Sequence, residues 1–263
     1  MNRAAPIGIF DSGVGGTSIW KEIHSLLPNE HTLYLADSKH APYGYKTKEE
    51  IISLSIKNTE YLLQQGAKLI VVACNTATTN AISELRSRYS APIIGIEPAI
   101  KPAALQSVSG NIGILATKGT LSSELFHKTS KALADGITIT EVVGEGLVPL
   151  IEAGLLDSPE LLPLLQKYVQ PLLRANIDYL VLGCSHYPYL IPQLQSILPD
   201  HIKIIDSGEA VARQTKAVLE QHQLLNNSGD STRLDFYSNT GTETLELLLT
   251  EFREKISIEL KDF

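Results

Sequence analysis

Only two cysteines occur in the 263 residues, which excludes a disulfide scaffold. No Cys-x-x-Cys is present and the seven His are scattered, so no metal pattern emerges. No apolar run approaches the roughly 20 residues of a membrane-spanning helix. Met1-Asn2-Arg3-Ala4-Ala5-Pro6 lacks the apolar core of a signal peptide. A soluble cytoplasmic protein with no membrane partner is expected. Positive charge is also scarce: the formal net charge is −7, which argues against a nucleic-acid partner. An anionic ligand would have to be held by local dipoles and hydrogen bonds. Aromatics are only 6% against 43% hydrophobic residues overall, a balance that suits an α/β protein. The length admits one large domain or two ordinary ones.

What is present centres on the two thiols. Lys68-Leu69-Ile70-Val71-Val72-Ala73 is a short, largely β-branched apolar run that ends at Cys74-Asn75-Thr76. It reads as a buried strand of a parallel sheet, with a helical pattern from Ala81. Asp178-Tyr179-Leu180-Val181-Leu182-Gly183 ends likewise at Cys184-Ser185-His186. Each cysteine is therefore expected at the carboxyl end of a central strand, the rim where open α/β sheets bind ligands. A helix N-terminus beside such a thiol favours the thiolate.

Further strands are expected at 7–10, 32–36, 93–96, 111–116, 138–142, 202–205 and 234–237. Helices are expected from Gly16 to about Leu27 and over 47–65, 81–89, 144–153 and 159–175. Others run from Thr120 to about Ala134, after Tyr187, and over 206–223 and 241–252. A loop spans 226–231. Ile7-Gly8-Ile9-Phe10 resembles Ile112-Gly113-Ile114-Leu115, and the two cysteine strands resemble each other, at offsets of roughly 105–110 residues. Apolar strands followed by polar turns recur in any α/β protein, but the matched thiols favour duplication of one unit. The expected fold is two similar α/β domains with mostly parallel sheets, pseudo-twofold related around a central cleft. The first spans 1–97 and 206–263 and carries Cys74; the second spans 98–205 and carries Cys184.

Two thiols on opposite faces of a small molecule can invert a stereocentre, one removing a proton and the other returning one. The ordinary thiol pKa of about 8.5 suits this exchange, and preorganised donors stabilise the carbanion without a cofactor. Asp11, His186 and Glu152 are candidates to tune the thiols. Asp11 also fits an N-cap, His186 a helix cap, and Glu152 an exposed surface acid. Gly13-Val14-Gly15-Gly16 follows a strand as a nucleotide loop does. However, Ser18 replaces the third Gly of Gly-x-Gly-x-x-Gly, and no P-loop Lys follows. The loop amides equally suit a carboxylate.

Six stretches carry a resemblance that spans most of the chain in order. They are Gly8 to Gly16, Ala41-Pro42-Tyr43-Gly44, Ala73 to Ala77, Ala116-Thr117-Lys118-Gly119-Thr120, Leu147 to Glu152, and Leu182 to Pro188. Together they resemble the glutamate racemases of the aspartate/glutamate racemase family. The resemblance implies cofactor-independent, two-base interconversion of L- and D-glutamate, supplying D-glutamate for bacterial peptidoglycan. Cys74 and Cys184 would be the acid/base pair, supported by Asp11, Glu152 and His186. Substrate would be held by Asp11, Ser12, Tyr43, Gly44, Asn75, Thr76, Thr117, Thr120, Ser185 and His186. No metal is implied, and a homodimer is. The family usually has Thr where this chain has Ser185; the hydroxyl is kept. Relatives acting on aspartate or hydantoins share the paired cysteines, and a ligand-binding protein with a redox cysteine pair is the alternative of a different class.

Overall fold

In the computed structural model, strands β1 (Ile7–Asp11), β2 (Thr32–Ala36), β3 (Leu69–Val72) and β4 (Ile93–Gly95) open the chain. A second series follows: β5 (Asn111–Ala116), β6 (Thr138–Val143), β7 (Tyr179–Gly183) and β8 (Lys203–Ile205). β9 (Leu234–Ser238) and β10 (Ser257–Leu260) close it. The structure describes residues 2–132, 136–227 and 232–263. The expected helix end at Ala134 and positions 228–231 of the expected loop lie outside them.

Two parallel sheets result, ordered β10-β9-β2-β1-β3-β4 and β6-β5-β7-β8. Helices cover both faces, which explains the unbroken apolar strands. All four residues of β3 are fully buried. Each contributes about 1.5–3 kcal/mol by burial, enough to offset the roughly 1–2 kcal/mol per residue of backbone ordering.

The two units share one plan. Numbered within its own unit, each four-strand core runs 2-1-3-4, so the order reverses between strands one and three. That switch point opens a crevice at the strands' carboxyl ends. Cys74 follows the third strand of the first unit and Cys184 the third strand of the second. The expected pair of α/β units with parallel sheets is therefore present. β9 pairs with β2, returning the end of the chain to the first sheet. The helix Gly208–Gln221 packs on the helix Thr17–Leu26.

Some local expectations need correction. The helix after β3 begins at Asn75, not Ala81. The small polar residues that resemble a turn are part of that helix; among them Thr78 Oγ1 donates to the Val72 carbonyl and accepts the Ile96 N–H. The helix expected over 241–252 is Glu243–Leu248 followed by a separate 3-10 turn, Thr250–Phe252. β10 was not anticipated; it is a largely exposed edge strand with no continuous apolar run. Among the described residues, no helix is long and apolar enough to cross a membrane.

Candidate active site at the paired strand ends

The carboxyl ends of the strands converge on one small cavity. Asp11 ends β1, Cys74 lies just beyond β3, Thr117 follows β5 and Cys184 follows β7. The turn after β2 adds Pro42, Tyr43 and Gly44. The cavity is narrow, with free space of about 10 Å³, roughly one water's worth, and is lined by these three, Ser12, Cys74, Asn75, Thr76, Thr117, Val148, Cys184, Ser185 and His186. No Lys or Arg lines it; an anion there would meet hydroxyls, amides and an imidazole.

Three expected site residues stand one layer behind the lining. Asp11 is fully buried and accepts the Ser185 hydroxyl at 3.1 Å. It is not the helix N-cap, which is Gly16; instead Asp11 Oδ2 accepts the Gly13 and Gly16 amides within its own loop. Thr120 bonds to Thr76 (3.2 Å) and Thr117 (3.0 Å), and Thr76 to Thr117 (2.8 Å), a hydroxyl triangle that joins the two units. Glu152 lies behind His186, with its Oε1 2.5 Å from Nε2. It is no surface acid: its side chain is only 14% exposed.

Cys74 caps the helix that follows it. Its sulfur accepts the Ala77 N–H at 3.4 Å, and its thiol donates to Ser12 Oγ at 3.6 Å. The anticipated lowering of its pKa by the helix end is outweighed. Burial, and then the negative charge of Asp11, push the Cys74 thiol well above its ordinary value against those two hydrogen bonds. Asp11 is itself pushed up by burial and by Glu152, with His186 opposing. Asn75 beside it is buried, and both polar atoms of its side-chain amide lack a partner among the described residues. Leaving such a group unpaired costs about 1–3 kcal/mol, which a polar ligand would relieve.

Cys184 keeps different company. His186 Nδ1 lies 3.7 Å from its sulfur and 3.9 Å from Asp11 Oδ2. Burial lowers the imidazole pKa, but hydrogen bonds to Cys184 and Glu152 and the charge of Asp11 outweigh it. His186 is held well above its ordinary value. It is thus no simple helix cap.

The glycine-rich loop serves this second cluster. A Cβ at Gly13 would overlap the Glu152 carboxylate, and one at Gly15 would overlap the His186 ring. The Val14 N–H donates to Glu152 Oε1 at 2.7 Å. The Gly13, Val14 and Gly16 amides offered in the sequence to a phosphate or carboxylate ligand are therefore occupied by protein carboxylates.

Sequence reasoning missed Ser38, which donates to Glu152 Oε2 at 2.7 Å, and Val148 in the lining. It also missed Asp37, fully buried and accepting the Tyr43 hydroxyl at 2.5 Å. Burial and Asp37 together keep that phenol protonated. An acid directly after an apolar strand was the available signal for Asp37; a lone serine offered none.

Residues 7–215 match the Asp/Glu/Hydantoin racemase family. The chain is 52% identical over 227 residues to a glutamate racemase of Ectopseudomonas mendocina, covering 86% of each chain. Among solved structures, it resembles a Bacillus anthracis glutamate racemase at TM-score 0.89 and 30% identity, covering 100% of this chain and 99% of that one. It also resembles the Escherichia coli glutamate racemase in complex with L-glutamate and the activator UDP-MurNAc-ala, at TM-score 0.84 and 34% identity, covering 97% and 98%. The family match over residues 7–215 and the identity and coverage of these relatives agree: the chain belongs to the Asp/Glu/hydantoin racemase family.

Proposed function

We propose that this protein is a glutamate racemase that needs no cofactor and uses Cys74 and Cys184 as opposed acid and base. The observation that carries the reading is that both sulfurs, each from the equivalent strand end of its unit, line the same narrow cavity. One thiolate takes the α-proton of glutamate. The electron pair left on the α-carbon is delocalised into the α-carboxylate, which neutral donors stabilise. The opposite thiol then delivers a proton to the other face. The product is the other enantiomer, and the two sulfurs have exchanged protonation states, ready for the reverse direction.

Supporting roles follow from position. The unpartnered Asn75 amide, with Thr76, Ser12 and Ser185, offers hydrogen bonds to substrate carboxylates; Tyr43, Gly44 and Thr117 line the same space. Thr120 and Asp11 hold those groups from behind. His186, backed by Glu152, manages the proton of Cys184. The entering ammonium group counters the charge with which Asp11 disfavours the Cys74 thiolate. The reading includes two domains, 1–97 with 206–263 and 98–205, a homodimer, and cytoplasmic supply of D-glutamate for peptidoglycan.

The test is incubation of purified protein with L-glutamate in D₂O, without pyridoxal phosphate. D-glutamate carrying deuterium at Cα is expected. Absence of exchange, or faster exchange of aspartate, would sink the glutamate assignment.

A further inference from the structure

We propose that Ser38 is a positioning residue for the His186–Cys184 pair, acting through Glu152; this rests on the racemase reading above. Glu152 belongs to the helix Leu147–Glu152, beside the second sheet, yet its side chain is held by the first unit. Its Oε1 takes the Val14 N–H and faces His186 Nε2. Among the described residues, Oε2 takes a hydrogen bond from Ser38 alone, at 2.7 Å. Without that donor the carboxylate retains one fixed oxygen and is free to turn about it. The imidazole behind Cys184 then keeps Oε1 as its partner but loses the fixed angle at which that oxygen meets it.

Ser38 is itself held in place. It opens the 3-10 turn Ser38–His40, directly after buried Asp37. Asn239, just past β9, accepts the Lys39 N–H at 2.9 Å and donates to Asp37 Oδ1. The Asp37 amide donates to the Asp11 carbonyl. The hydroxyl therefore comes from a turn pinned on both sides, as a positioning group requires. The Glu152 backbone is fixed from the same side, where Thr244 Oγ1 donates to its carbonyl at 2.8 Å. The titratable groups facing Glu152 are His186 directly, with Asp11 and Tyr34 farther back.

The experiment compares Ser38→Ala and Ser38→Thr with the unaltered protein, each checked for folding by thermal melting. Two readouts are followed: the His186 ring titration by NMR in the free protein, and racemisation from each enantiomer. Losing a hydrogen bond to a charged group corresponds to a kcat loss of about tenfold. Ser38→Ala is expected to show that loss, with the His186 titration moving to lower pH as Glu152 loosens. Ser38→Thr keeps both near the original. Because the enantiomers are equal in free energy, kcat/KM must fall by the same factor in both directions. A folded Ser38→Ala protein with unmoved His186 titration and unchanged kcat overturns the proposal. If the unaltered protein fails to racemise glutamate, the racemase reading falls, and the His186 titration still decides whether Ser38 positions the pair.

Discussion

The two cysteine rims are alike in backbone and unlike in company. Both follow the third strand of a 2-1-3-4 sheet core. At the first rim, Cys74 has a hydroxyl and a backbone amide as neighbours, and a buried amide side chain stands unpartnered beside it. At the second, Cys184 has an imidazole backed by a carboxylate from the neighbouring helix. Repetition of one unit accounts for where the sulfurs sit. It does not make them equivalent acids, because the groups that handle protons come from loops and helices that diverged.

The largest expected effect tests whether the rims are nonetheless equal partners. Cys74→Ser and Cys184→Ser should each reduce racemisation by about 10²–10⁴-fold, the usual weight of one general acid or base. A single variant with full activity would break the parity. The same comparison extends to alkylation of the free protein. Burial and Asp11 raise the Cys74 pKa, so the thiolate forms only above the ordinary thiol range. Iodoacetamide should modify Cys74 more slowly than a free thiol at pH 8.

Next comes the glycine loop, whose Gly15 lies against the second rim. Gly15→Ala places a methyl where the His186 ring lies, and misplacement of about 1 Å costs on the order of 100-fold in rate. The expected result is a folded protein with kcat down by about that factor. Activity near the original would mean that the ring has room to retreat without consequence.

A smaller pair of effects separates the residues after each thiol. Asn75→Ala removes an unpartnered buried amide and should raise stability by about 1 kcal/mol while raising KM. Ser185→Ala breaks the bond to Asp11 and should lower stability by about as much. Thermal melts of the two variants distinguish them; shifts of the same sign would refute the contrast.

The smallest concerns the residues that lead into the cysteine strands. Lys68 precedes β3 and is buried against Glu30. Asp178 precedes β7 and holds the 107–109 turn. Burial tends to raise its pKa, but the Ser107 hydroxyl and the Ser109 and Val108 amides outweigh this and hold it down to about 2. A depressed carboxylate contributes stability that is present above its ordinary pKa and lost as pH falls through the folded value. Asp178→Asn should therefore melt lower than the unaltered protein at neutral pH, and the difference should fade between about pH 4 and pH 2. A difference independent of pH would point to packing instead.

Composition and local pattern alone determined the α/β class, most strand positions and the placement of both thiols at strand ends. A strand buried on both faces must be apolar along its whole length, and that is visible residue by residue. Cys74, Cys184, Asn75 and Ser185 were legible because they directly follow such strands. The company they keep was not. Val14 and Glu152 stand 138 residues apart, and no periodicity brings a glycine-loop amide, a helix-end carboxylate and Ser38 to one point. The glycines resembled an anion loop because close approach demands the same residue whether the visitor is a phosphate or the protein's own carboxylate and imidazole. The raised Cys74 pKa likewise depends on how completely water is excluded, which no stretch of chain encodes by itself. Only the packing of one sheet's loops against the other's decided these, since burial and charge proximity are properties of the assembled cleft.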